Sequence, residues 1–256
     1  MAEAPERNLA LDIVRVTEAA ALASARWLGR GNKEAGDGAA VDAMRIGFGS
    51  MHFDGEVVIG EGEKDHAPML YNGEKLGRGD GPALDVAVDP VEGTNLLAYG
   101  RPNAISVVAV APSGSMFRPG PSYYMQKLVV PGQARDVVDL DAPVADNLNA
   151  IARALGKKVQ DLVVFVLDKP RHEKLIGEIR KAGARIQLQT DGDVAGALMA
   201  LDPRSEVDVM MGTGGTPEGV ISACAVKGLD GQILSRLDPQ SYVEKEAILD
   251  AGVDLR

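Results

Sequence analysis

The chain has 256 residues, 45% hydrophobic and 25% charged, with 30 Gly and 14 Pro. This is ordinary globular composition, which excludes fibre and disordered-tail classes. At roughly 150 residues per domain, that length allows one large α/β unit or two small ones. The net charge of -10 repels a nucleic-acid backbone and no Lys/Arg run reverses that locally. The longest uncharged stretch, Pro102 to Phe117, is broken by Pro112, Ser113 and Gly114 and is too short to cross a bilayer. The N-terminal segment has no apolar signal region, and the lone Cys224 cannot form an internal disulfide. The expectation is a soluble cytoplasmic protein with neither nucleic-acid nor membrane partners.

Asn8 is an N-cap for a helix whose apolar positions Leu9, Ile13, Val16, Ala20 and Ala23 recur at helical spacing to Trp27 and Leu28, where Gly29 and Gly31 stop it. Asp37 precedes a second helix over Ala39 to Ile46. A short buried strand, Glu56 to Ile59, runs into the turn Gly60-Glu61-Gly62-Glu63, and the next, Leu84 to Val88, is ended by Asp89-Pro90 because proline does not continue a central strand. Ile105 to Ala111 and Met125 to Val130 read as further strands.

The second half alternates: strand 162–167, helix 171–182, strand 184–188, helix 193–201, strand 207–211, helix 218–227. This is the rhythm of βαβ units around a parallel sheet. The Asp-rich stretch Val137 to Asp146, with Pro143, is the expected boundary, dividing an N-terminal metal-binding α/β subdomain over 1–138 from a C-terminal one over 139–256.

Open α/β sheets bind ligands beyond the carboxyl ends of their strands, and here those ends carry Glu61 and Glu63, Asp89 and Glu92, Asp168 and Lys169, Asp191 and Asp193, and Gly212 to Gly215. The sharpest motif is Asp89-Pro90-Val91-Glu92-Gly93-Thr94. Its carboxylates can converge on a hard cation such as Mg²⁺ or Mn²⁺. Gly93 lets backbone N–H groups approach an anion, and Thr94 adds a hydroxyl. Each feature also has a plainer reading. Lys169 to His172 could be a charged helix start, Asp191-Gly192-Asp193 a turn and an N-cap, and Gly212 to Gly215 before Pro217 and Glu218 a well-formed helix entry. The glycine run lacks the Gly-Lys-Ser/Thr ending of a nucleotide loop. Cys224 and Trp27 read as core residues, and the three histidines, scattered along the chain, do not suggest zinc.

Asp89-Pro90-Val91-Glu92-Gly93-Thr94 resembles the metal signature of the lithium-sensitive phosphatases. The segments Ile59 to Glu63, Ala67 to Tyr71, Lys169 to His172, Asp191 to Ala195 and Gly214 to Val220 are together similar to class II fructose-1,6-bisphosphatases, over about Leu9 to Leu234. The resemblance implies a layered αβαβα sandwich of the sugar-phosphatase type, with the active site between two α/β subdomains. It implies removal of the 1-phosphate of fructose 1,6-bisphosphate, in gluconeogenesis or carbon fixation, by a homodimer or homotetramer. It makes Glu61, Asp89, Glu92 and the Val91 carbonyl ligands for Mg²⁺ or Mn²⁺, with Glu218 a more distal carboxylate. Asp37 and Thr94 activate water and Lys33 lies near the scissile phosphate. Gly93 and Thr94 border the substrate; Tyr124 or its neighbour Tyr123, with Lys169 and Arg171, holds the remote phosphate; Asp191 and Asp193 lie near the sugar hydroxyls.

Asn95 and His66 depart from common family residues without breaking the site, and family chains continue past the point where this one stops, so an incomplete second subdomain is expected. The competing activities are sedoheptulose-1,7-bisphosphatase and inositol-phosphatase chemistry. A non-catalytic sugar-phosphate-binding protein would have no need of Thr94.

Overall fold

The computed structural model describes residues 8–60, 70–253 and 255, and the chain packs as two units, Met1–Met116 and Phe117–Arg256.

In the first unit, the Asn8 side chain accepts from the N–H groups of Ala10 and Leu11 and opens helix α1 (Leu9–Ala25), which turns Ile13, Val16 and Ala20 inward. The helix stops short of Trp27, and Gly29 and Gly31, at φ +70° and +71°, turn the chain. Asn32 then caps α2 (Lys33–Gly49) by accepting from Ala35 N–H. This helix starts earlier than the expected Ala39, and Asp37 lies inside it. Gly36 packs closely against the short helix α3 (Thr94–Ala98), where a Cβ would stand 2.7 Å from Leu97 Cδ2.

Strands β1 (Asp54–Ile59), β2 (Lys75–Leu76), β3 (Ala83–Glu92) and β4 (Ile105–Pro112) form a sheet in the order β2-β1-β3-β4. β1 and β3 are parallel and the two edges antiparallel. Val16, Ala20, Met44 and Phe48 of the helices bury against Val57, Val86 and Val88 of the sheet, and Phe48 meets Phe53 edge to face with ring centroids 6.1 Å apart. Trp27 is half-buried against this core.

In the second unit, β5 (Tyr124–Val130), β6 (Val163–Leu167), β7 (Arg185–Gln189), β8 (Val209–Gly215) and β9 (Gln232–Leu237) are ordered β7-β6-β8-β5-β9. The parallel βαβ expectation describes β6, β7 and β8, but β5 runs antiparallel between β8 and β9, so the sheet is mixed. Helices α4 (Val144–Ala154) and α5 (Glu173–Ala182) cover one face through Leu148, Ile151, Ile179, Val164 and Met211. Helices α6 (Asp193–Leu201) and α7 (Thr216–Gly228) cover the other through Ala197, Ala200, Val226 and Phe165. With both faces covered, β6 is buried at every position. Gly196 lets α6 lie directly on Phe165: a Cβ there would fall 2.3 Å from the ring. Helix α8 (Tyr242–Asp250) closes the described chain. Among the described residues no helix is long and apolar enough to cross a membrane. Both units are layered α/β structures.

The division falls at Met116/Phe117 rather than near residue 138. The reason is strand pairing: β5 is hydrogen-bonded on both sides within the second sheet. The Asp-rich segment is an ordered lead into α4, where Asp139 N–H donates to Asn147 Oδ1 at 2.9 Å and Asn147 Nδ2 donates back to the Asp139 carbonyl at 2.7 Å.

Candidate active site

The first unit builds its chemistry from the backbone. β3 does not end at Val88 as expected; it continues through Pro90 to Glu92. Its register with β4 slips between Asp89, opposite Val107, and Glu92, opposite Ile105. Such a bulge is where a strand can absorb a residue with no N–H to offer, and the Pro90 carbonyl accepts from the Ser106 hydroxyl at 2.7 Å. The bulge turns Asp89, half-buried, and the buried Val91 and Glu92 into one short arc. Gly93 follows at φ +86°, ψ 47°, a conformation costly for any residue with a Cβ, and delivers Thr94 as the first residue of α3.

The other end of α3 is held by the α1–α2 loop, where Gly29 and Gly31 N–H groups donate to the Leu97 and Ala98 carbonyls, both at 2.9 Å. A Cβ on Gly36 would stand 2.7 Å from Leu97 Cδ2, so the first turns of α2 press on α3. Asp37, half-buried, is the next residue of α2, and Lys33 is exposed at its start.

Asp89, the Val91 carbonyl and Glu92 offer only oxygen, the donor set of a hard divalent cation. Glu92 is buried, 4% exposed, so its oxygens are held inside the unit beside those of Asp89 and Val91. The residues present therefore fit such an ion. Among the described residues there is no cluster of three or more His, Cys, Asp or Glu side chains able to hold a metal; Glu61, with Glu63 and His66, lies outside the described residues.

The second unit builds its polar sites from side chains on separate elements. Lys169 Nζ donates to Asp191 Oδ1 at 3.0 Å. Arg171 Nε donates to the Thr213 carbonyl at 2.9 Å, and its guanidinium lies 5.1 Å from the centroid of the Tyr124 ring. Tyr124 starts β5, whereas Tyr123 is 67% exposed. Behind Arg171, His172 is buried with Nδ1 2.7 Å from the Leu167 carbonyl and Nε2 2.8 Å from Thr213 N–H. Those partners assign it the neutral form with the proton on Nδ1, and burial lowers its pKa below the ordinary 6.5.

Asp193, at the start of α6 after Gly192 (φ +100°), is buried and forms an ion pair with Lys127 of β5. Glu218, in the first turn of α7, buries its Oε2 without a hydrogen-bond partner among the described residues. Desolvation, reinforced by the Asp193 charge, pushes its carboxyl above the usual carboxylate range, and Lys127 opposes that rise. The run Gly212 to Gly215 is strand, not a loop, and Gly215 pairs with Tyr124. Its glycines leave room for carboxylates: a Cβ on Gly214 would fall 2.0 Å from Asp193 Oδ2, and one on Gly215 1.8 Å from Glu218 Oε2.

Sequence reasoning passed over three contributors. Lys127 is a lone cation in the apolar run from Met125 to Val130, a signal that was present. His172 was set aside for lacking metal spacing, and its role is instead to bridge two strands. Glu244 of α8 accepts from the N–H groups of Tyr123 at 2.7 Å, Tyr124 at 3.0 Å and Gln240 at 2.9 Å, a role no local pattern announces. Cys224 is only half-buried, and burial raises its thiol pKa.

Known proteins carry a similar sequence. The chain is 52% identical over 231 residues, 90% of its own length and 68% of the relative's, to the fructose-1,6-bisphosphatase 1 class 2 of Escherichia coli K12. It is equally similar to the class 2 fructose-1,6-bisphosphatases of Escherichia coli O6:H1 (strain CFT073) and Shigella flexneri. Residues 7–256 match the model of the bacterial, glpX-encoded fructose-1,6-bisphosphatases, and a match over nearly the whole chain places this protein in that family.

Proposed function

We propose that the chain hydrolyses the 1-phosphate of fructose 1,6-bisphosphate, giving fructose 6-phosphate and phosphate, and that Mg²⁺ or Mn²⁺ serves as its cofactor. The observation that carries this reading is the bulged turn from Asp89 to Thr94 with α2 packed against the helix it opens; membership of the family supports it.

In this reading Glu61, Asp89, Glu92 and the Val91 carbonyl hold the cation, with Glu218 a further carboxylate. Divalent cations in such a site neutralise phosphoryl charge and acidify water. Asp37 takes a proton from the attacking water, which the Thr94 hydroxyl orients. The water oxygen bonds to phosphorus as the bond to the C1 oxygen breaks, and that oxygen takes a proton from solvent to leave as the sugar hydroxyl, with no covalent phosphoenzyme. Lys33 offers its ammonium to the departing phosphate, and Gly93 lets the backbone approach it. Arg171, anchored through Nε, keeps its other N–H groups for the remote phosphate beside Tyr124, and Lys169 adds a second charge. Asp191 and Asp193 accept from sugar hydroxyls. The enzyme works in the cytoplasm, in gluconeogenesis, as a homodimer or homotetramer, which light scattering resolves.

The test is phosphate release by the 256-residue chain with Mg²⁺, with Mn²⁺ and with excess chelator, on fructose 1,6-bisphosphate, sedoheptulose 1,7-bisphosphate and inositol monophosphate. Release that needs the metal and favours the fructose bisphosphate is expected. A folded sample that is silent on it, or that prefers inositol monophosphate, overturns the proposal.

A further inference from the structure

Lys127 is costly to bury. Its side chain is 0% exposed, and it stands in the interior strand β5, opposite Gly212 of β8 on one side and Ser235 of β9 on the other. An ammonium group in such a place forfeits its hydration, and a well-packed apolar residue would commonly serve stability as well or better. The surroundings are nevertheless shaped to keep it. A Cβ on Gly214 would stand 3.2 Å from Lys127 Nζ, and one on Gly219 3.1 Å from its Cε. Two glycines on different elements thus make way for one lysine, whose ammonium is directed at Asp193 Oδ2.

Asp193 needs such a partner. It follows Gly192 in a left-handed conformation, and its side chain is 5% exposed. Glu218, its Oε2 buried without a hydrogen-bond partner among the described residues, is a second buried carboxylate of this unit. Without a cation on Oδ2 the aspartate would lose the partner that holds its orientation, and that would alter what it presents to a ligand.

We propose that Lys127 is a positioning residue for substrate recognition: it fixes the Asp193 carboxylate in the orientation that accepts a sugar hydroxyl, without itself touching the substrate. The inference rests on the reading of Asp193 as a sugar contact. Lys169 does the same for Asp191, but half-exposed to water, with 32% of its side chain accessible. The buried pair is the one that cannot be replaced by solvent.

A double-mutant cycle on the full chain tests this, with KM and kcat for fructose 1,6-bisphosphate measured beside thermal unfolding for Lys127→Met, Asp193→Asn and the double variant. Lys127→Met is expected to raise KM about tenfold, the scale of a lost charged hydrogen bond, with kcat within about threefold of the parent. It should also unfold at lower temperature, because it strands a buried carboxylate. The double variant, with neither charge, should recover that stability yet show the KM of Asp193→Asn alone, since Lys127 has nothing left to orient. A purely structural lysine would instead add its own penalty in both backgrounds. Should Lys127→Met fail to fold, the comparison of the double variant with Asp193→Asn decides. An unchanged KM in Lys127→Met, or additive KM effects, overturns the role of Lys127. An unchanged KM in Asp193→Asn overturns the reading of Asp193, and this inference with it.

Discussion

The two units make their polar sites by opposite means. In the first, the chain itself is bent into the functional shape: a strand slips register around Pro90, Gly93 turns left-handed, and a short helix is gripped from behind by two glycine amides and pressed by a third glycine. In the second, five strands and five helices are regular, and the polar groups are aimed by one another: Lys169 by Asp191, Arg171 by the Thr213 carbonyl, Lys127 by Asp193, and the Tyr123–Tyr124 backbone by Glu244. A site made by bending the backbone is local, so a single residue changes its geometry. A site made by cross-links spreads its dependence over distant residues, so single changes should cost less and couple more.

That contrast is most directly broken at Thr94. If the bulged turn is where the chemistry happens, Thr94→Ala removes a hydroxyl that orients water and should lower kcat by about 10²–10⁴-fold, with KM and the unfolding temperature near the parent's. Asp89→Asn should do the same through the cation. Initial rates at saturating substrate and metal check both, and full turnover by either variant would leave the turn with no catalytic role. In the second unit the expected effect is smaller and of another kind. Arg171→Ala removes one gripping cation and should raise KM for the bisphosphate by about 10- to 100-fold, with kcat little altered. A matching rise for a substrate lacking the remote phosphate would show that Arg171 serves the fold.

The same contrast explains what could be read in the sequence. The acidic turn was legible because its carboxylates, its glycine and its hydroxyl are contiguous from Asp89 to Thr94, and the alternation of β6, α5, β7, α6, β8 and α7 was legible because each element declares its own period. Pro90 was taken for a strand end, because the bulge that accommodates it depends on β4. Gly212 to Gly215 was read as lying beyond the strand end and leading into a helix, because the reason for the glycines is room for Asp193 and Glu218. The late strand β9, the helices α4 and α8, and the clamp by Glu244 were not foreseen, since their stability comes from packing and hydrogen bonds to residues far along the chain.

Gly36 probes the backbone-built side by packing rather than chemistry. With Leu97 Cδ2 2.7 Å and Trp27 Cβ 3.3 Å from where its Cβ would stand, Gly36→Val must push α2 off α3, a strain of about 1–3 kcal/mol. Because Asp37 is the next residue and Thr94 opens α3, this variant should lose kcat as well as stability. The matched change on the cross-linked side, Gly196→Val, meets the Phe165 ring and should lower stability while leaving kcat largely intact in the fraction that folds. Urea unfolding and kcat on the same samples separate the two.

The smallest effect expected is a pH dependence of the cross-linked unit that runs through His172. Its Nε2 accepts from Thr213 N–H while Nδ1 donates to the Leu167 carbonyl, so adding a proton to Nε2 forces the Thr213 bond to break inside a buried site. The folded-state pKa is lowered, first by burial and then by the neighbouring Arg171 charge, with the hydrogen bond to the Leu167 carbonyl and the Asp238 charge acting in the opposite direction. A group depressed in this way contributes its full stability above the unfolded value of about 6.5 and loses it as the pH falls from there through the folded value. The loss should be about 1 kcal/mol, the worth of one hydrogen bond. Urea midpoints at pH 8 and pH 5 measure it against His172→Gln, whose amide offers one donor and one acceptor but does not titrate. The parent should lose more stability on acidification than the variant, and KM should rise with that loss, because Thr213 is also the residue whose carbonyl holds Arg171. Equal losses in the two proteins would move the acid sensitivity to the carboxylate pairs and leave His172 a packing residue alone.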